Sequence, residues 1–194
     1  MSVEDSRPLS CDIAFKEWAG VCEALTAGRQ SIILRKGGIA EGARGFIPEH
    51  PRFWLYPTHL HEGEQGLRLA PESGQPRTPS RLDVVDIRTL VETGPIGWVD
   101  RLEILDRLEP FHVWTEETVH KRFHYRKPGL WVLGVRVYRR DEPFAVPITA
   151  EHAGCKTWVS LDPPLVTEAV VPVLDDQEFG RVMEDLRLAL NIDQ

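Results

Sequence analysis

The sequence predicts an α+β protein: a small, strongly twisted, mostly antiparallel β-barrel or sheet flanked by helices. Two amphipathic segments, near the start and at the end of the chain, read as helices. Between them lie short runs rich in β-branched and aromatic residues, QSIIL, FWLY and LWVLGVRVY, each bounded by Gly or Pro. The length of 194 residues suits one domain over 1–194 with a core that needs no covalent staples.

Taken in order, residues 12–26 (DIAFKEWAGVCEALT) place Ala14, Trp18, Val21, Cys22 and Leu25 on one helical face. Asp12 is the expected cap, and Gly28 the left-handed stop. Gln30–Leu34 and Phe53–Tyr56 read as strands. Residues 62–80, rich in Gly, Pro, Ser and charge, read as a long surface loop. Leu82–Glu92 fits a short helix loosely, and Gly97–Leu108 alternates like a strand. Thr115 caps an expected helix to Phe123, with Glu116 and Glu117 at its positive end. Leu130–Tyr138 is the clearest strand, with shorter ones expected at Thr157–Leu161 and Val166–Val173. A final helix spans 175–192; Phe179, Val182, Met183, Leu186 and Leu190 form its stripe.

The opening MSVEDSRPLS has no basic-then-apolar leader, and no apolar run reaches the roughly 18–20 residues a membrane span needs. With Cys11, Cys22 and Cys155 as a sparse, odd set, the expectation is a cytoplasmic protein without disulfides and without a membrane partner. The net charge is −7, unevenly spread. Residues 28–52 carry net +3 and residues 112–140 net +5, so two basic stretches stand out in an acidic chain. Together they can form a local anion-binding face.

Familiar catalytic and nucleotide-binding motifs are absent: there is no GxGxxG, phosphate-binding lysine loop, GxSxG or HExxH. His59-x-His61, the pair His120 and His124, and His152 with Cys155 have ligand-like spacings. None brings a third and fourth ligand, so neither metal nor cofactor is expected. Cys155 beside Lys156 lacks an evident base and reads as structural. More informative are the rings that stand near cations. Trp54, Tyr56, Trp114 and Trp158 can wall a pocket, with Arg35, Lys36 and Arg122 as its cations. His59 and His61 follow the second strand. His112 and Trp114 precede a helix N-terminus, where backbone N–H groups favour anions. An extruded base needs such aromatic walls and a few cations more than it needs overall positive charge.

Several separated stretches, AFKEWAGVCEALTAGRQSIILRKGG, FWLYPTHLH, HVWTEETVHKRF and GCKTWVSL, resemble the bacterial family known as domain of unknown function 1802, over roughly residues 12–162. That family has no established activity; the company its members keep has linked it to restriction–modification. More distantly, Gly28–Arg35 is similar to the G-x-K-x-x-E-x-R opening of ASCH domains, which belong with the EVE and YTH domains to the PUA-like superfamily. Gly97–Leu108 and LWVLGVRVYRRDEPFAVP resemble later strands of such a barrel. The resemblance implies a cleft for RNA, modified DNA bases or nucleotides. Gly28 and Arg35 match the motif. Gln30 and Ile33 depart from its lysine and acidic positions, and with them from the amidohydrolase chemistry of some ASCH members. The expectation is therefore a nucleic-acid or nucleobase-binding module, with Arg35 and Lys36 on phosphate. Its competitors are a nucleic-acid-processing hydrolase and a non-catalytic interaction subunit.

Overall fold

The computed structural model describes residues 8–36, 46–59, 66–68, 83–154 and 156–191. In chain order these form β1 (Ser10–Trp18), α1 (Ala19–Thr26), β2 (Ile32–Arg35), β3 (Arg52–Thr58), β4 (Val84–Val99), α2 (Leu102–Arg107), α3 (Glu116–His124), β5 (Leu130–Pro147), β6 (Trp158–Val166), β7 (Val171–Pro172) and α4 (Asp176–Leu190). The strands make one mixed sheet in the order β2-β5-β4-β3-β1-β6, with β7 also on β5. β1 and β3 run parallel; the other pairs are antiparallel.

Long strands and bulges give this sheet its curl. The β4–β5 ribbon shifts register between Ile87 and Thr89 and again between Thr93 and Ile96, and β1 shifts against β6 between Cys11 and Ile13. Each such bulge adds local twist and bend. The two ends of the strand path, β2 and β6, thereby come within reach of one side chain: Arg35 Nη2 donates to Thr157 Oγ1 at 2.6 Å. The sheet remains open, because side chains rather than a backbone ladder span this seam.

Alternation along the strands sorts side chains onto two faces. Phe15, Phe53 and Leu55 join the larger core, which all four helices cover, while Ala14, Trp54 and Tyr56 join a second core with Ile87, Leu90 and Tyr138. α4 seals the first core through Met183, Leu186 and Leu190. Its start is a reciprocal cap: Asp175 accepts from the Glu178 N–H at 2.8 Å, and Glu178 accepts from the Asp175 N–H at 3.2 Å. Directly under α4 lies Gly134 of β5. A methyl group there would stand 2.8 Å from Leu186 Cδ2 and 3.1 Å from Pro95 Cδ. Gly134→Val is accordingly expected to lift α4 and cost about 2 kcal/mol of stability, read from urea unfolding. A neutral result would mean that the helix packs more loosely than its contacts imply.

Four expected elements differ; the strand expected over Val166–Val173 is interrupted by a turn at Glu168 and Ala169, so that only the end of β6 and the short β7 fall within it. Residues 12–18 are strand, not helix; α1 begins only at Ala19, and Asp12 is exposed rather than a cap. β1 lies between β3 and β6, so Ala14 through Trp18 are all buried, and a strand buried on both faces has no clean two-residue alternation. Of the helix expected over Leu82–Glu92, Leu82 lies outside the described residues and 83–92 are not helical: β4 begins at Val84, where Val84, Val85, Ile87, Thr89 and Val91 suit a pleated surface. Gly97–Leu108 continues as strand only to Val99 and then turns into α2, whose Ile104 and Leu105 face the core. The expected helices at Thr115–Phe123 and 175–192 are present as α3 and α4, and Gly28 has φ +72°. Most of the expected 62–80 loop lies outside the described residues. Among the described residues, no helix is long and apolar enough to cross a membrane.

Candidate functional site

The seam between β2 and β6 gathers the charged and aromatic groups. β1 presents Phe15 and Glu17, two residues apart, to the same face. Glu17 is 2% exposed. Its Oε1 accepts from the Trp18 N–H at 2.8 Å, while Oε2 lies 3.9 Å from Arg35 Nη1 and has no hydrogen-bond partner among the described residues. Arg35, the last residue of β2, also places its guanidinium 5.1 Å from the centre of the Phe15 ring. From α3, Arg122 lays its guanidinium against two indoles, 4.0 Å from the Trp18 ring centre and 4.5 Å from that of Trp114. Those two rings meet edge to face at 5.8 Å.

The charges here are uneven. One buried carboxylate serves two guanidinium groups, so the seam carries a surplus positive charge. Arg122 as a residue is part-exposed, with its charged end against the two rings. Burial chiefly, opposed by Glu17 and reinforced by repulsion from Arg35, lowers its pKa to about 10. It remains a cation at neutral pH, and its N–H groups find no acceptor among the described residues. Trp114, fully buried, likewise leaves Nε1–H without an acceptor. Native interiors rarely leave buried donors and acceptors unmatched. Here an acceptor on Glu17 and a donor on Trp114 flank the same arginine.

Beyond Arg35, the wall continues as a second aromatic group. Trp158 stacks on Phe46 at 5.8 Å and meets Phe15, Phe53 and His50 edge-on. Its indole N–H donates to the Ile47 carbonyl at 3.2 Å. Gln30 fastens the other side. Its Oε1 accepts from the Val113 N–H at 3.2 Å, tying the approach to β2 to the segment that carries Trp114.

Four of the residues singled out from sequence thus converge: Arg35, Arg122, Trp114 and Trp158. His112 adjoins them. Its buried Nδ1 accepts from the Trp114 N–H at 3.2 Å, and burial, with Arg68 nearby, lowers its pKa to about 4, so it is neutral and braces the Trp114 backbone. Lys36 lies elsewhere, with its ammonium donating to the carbonyls of Phe123, Lys127 and Gly129. Desolvation and Lys127 lower its pKa. Tyr56 and Trp54 face the second core; Tyr56 packs edge-on against His152 and is 5.8 Å from Lys16 Nζ. His59 is part-exposed just past β3. His61 and Cys155 lie outside the described residues. Glu17, Trp18 and Thr157 were not expected as site residues. The available signal was Glu17 itself, an acidic residue inside an otherwise buried run.

Fold and seam define an α+β protein with a curled, open mixed sheet and a cluster of cationic and aromatic side chains at its side-chain-bridged edge. Residues 14–185 match the model of the domain of unknown function (DUF1802) family, and the chain belongs to that family. Among solved structures, it is similar to ASCH proteins of Zymomonas mobilis. A serine-to-alanine mutant of ZmASCH shares 13% identity at a TM-score of 0.44, covering 92% of this chain and 98% of that one. The ASCH protein from the same organism shares 13% identity at a TM-score of 0.42, covering 89% and 93%. No curated protein matches the chain.

Proposed function

We propose that this chain is a PUA-like nucleic-acid-binding module that receives a single base, plain or modified, at the seam. The observation that carries this reading is Arg122: a guanidinium held against both Trp18 and Trp114, without an acceptor among the described residues, beside the unmatched Oε2 of Glu17. A planar heterocycle meets all of these needs together. Its ring faces suit indole and guanidinium planes, its carbonyl and ring nitrogens accept from Arg122 and Trp114, and its amino or imino groups donate to Glu17. Arg35, bonded to Thr157 and adjacent to Glu17, holds the carboxylate in place and adds positive charge for a phosphate.

The test is a gel-shift series with plain and base-modified DNA and with RNA, the modified DNA first because of the family's link to restriction–modification. Wild type is expected to bind at least one of these polymers. Arg122→Gln is expected to weaken that binding about tenfold or more, the loss of a charged, stacked contact, and Arg35→Ala to weaken it less. Failure of the wild-type protein to shift every polymer would sink the reading.

A further inference from the structure

A row of side chains leads out of the seam across the sheet. In the strand register Arg35 of β2 lies opposite Trp131 of β5, and Trp131 lies opposite Trp98 of β4. Residues directly opposed across strands project to one face, so the row runs from the half-buried Arg35 to an exposed ring over two strand spacings, about 10 Å. Trp131 packs on the larger core, and Trp98, 36% exposed, meets it edge-on at 5.7 Å. Gly129 makes room for Trp98: with φ +126°, any Cβ there would lie 2.3 Å from the indole, so the ring rests directly on backbone.

That backbone belongs to the turn after α3. Lys36 closes this turn by donating to the Phe123 and Gly129 carbonyls, and its Nζ stands 5.6 Å from the Trp98 ring centre. The turn is exposed throughout 125–128 and carries Tyr125, Arg126 and Lys127, close after Lys121, with no acidic residue from 121 to 129. Tyr125 is 47% exposed, and the Arg126 guanidinium lies 5.1 Å from its ring centre. Arg126 holds φ 61°, a left-handed conformation that glycine adopts without steric cost. Folding alone favours glycine at such a position, and this chain places a cation there instead.

We infer that a single-stranded polynucleotide lies along this row, with one base at the seam, a neighbouring base stacked on Trp98 and backbone phosphates against Arg126 and Lys127. The inference rests on the nucleic-acid reading above and extends it from a single base to a strand with a direction across the sheet. Exposed rings interleaved with cations, with few hydrogen-bonding edges, suit sequence-tolerant stacking and phosphate contact.

Fluorescence anisotropy with labelled single-stranded RNA and DNA of about a dozen nucleotides tests it. Trp98→Ala is expected to weaken binding about tenfold, the loss of one stacked base. Arg126→Gly is expected to weaken it several-fold and to lower the salt slope by about one, while thermal stability holds or rises. Unchanged affinity in Arg126→Gly and Trp98→Ala overturns the strand path, even where Arg122→Gln abolishes binding. Losses in these two variants with Arg122→Gln unaffected keep the path and remove the seam reading. Polyglutamate competing as strongly as the oligonucleotides overturns the path in favour of an acidic protein partner. Wild-type protein that binds neither polymer removes the strand path, and the seam reading falls with it only if base-modified DNA also fails to bind.

Discussion

Glu17→Ala is expected to lower the unfolding free energy by about 3–5 kcal/mol, the range for removing one partner from a buried ionic cluster. Glu17 is 2% exposed, and its carboxylate opposes two cations, Arg35 at 3.9 Å and Arg122 through the field that raises that residue's pKa. Truncation removes the charge, leaves the Trp18 N–H without its 2.8 Å acceptor and turns the seam into two guanidinium groups facing one another. Glu17→Gln separates these effects, since it keeps volume and an acceptor and removes only the charge. It is expected to lose a large share of the same stability, and the double variant Glu17→Gln with Arg35→Gln to recover part of it. That recovery would be non-additive because the two side chains are in contact. Urea unfolding of the four proteins reads the coupling directly. A loss under about 1 kcal/mol in Glu17→Ala would mean that water, rather than Glu17, balances the two arginines.

The same carboxylate explains why the first element was misread. In sequence, Lys16 and Glu17 resemble the polar side of an amphipathic helix, and Trp18, Val21, Cys22 and Leu25 its apolar stripe. In the fold both charges are buried because each finds partners far along the chain. Lys16 donates to the carbonyls of His152 and Gly154, and Glu17 meets Arg35. Local periodicity carries no information about partners on other elements, so a central strand with buried charges looks like a helix. α3 and α4 were legible because their signals are local: Thr115 and Asp175 cap within their own first turns. The candidate site was legible as residue types and not as a place. Arg35, Arg122, Trp114 and Trp158 could be picked out as rings and cations, but their convergence depends on the parallel β1–β3 pairing and on bulges that curl β2 toward β6. Lys36, adjacent to Arg35 in sequence, points into the turn after α3 instead, because a strand ends between them and its ammonium finds carbonyl groups there. Tyr56 follows from the pleat: Phe53 and Leu55 face one core, and Trp54 and Tyr56 the other.

Trp114→Ala is expected to cost about 3–5 kcal/mol, since it empties the largest kind of side chain from a fully buried position. It should also release Arg122 from one of its two rings, so binding at the seam would fall with stability and the two losses could not be told apart. Trp114→Phe divides them. Phenylalanine keeps an aromatic face for Arg122 and for Trp18 and gives up some volume, a change of about 1 kcal/mol or less. It also deletes an indole N–H that is buried without an acceptor, and removing such an orphan offsets part of the packing loss. Stability should therefore hold, while binding weakens about tenfold, the usual scale for losing one hydrogen bond to a ligand in a desolvated site. Trp54 provides the control. It too is fully buried with an unmatched N–H, but it packs against Phe144 in the second core, on the other face of the sheet. Trp54→Phe should change stability by a similar amount and leave binding alone. If Trp114→Phe binds as the wild type does, the unmatched indole belongs to the packing of the core, and the ligand contact must be carried by Arg122 alone.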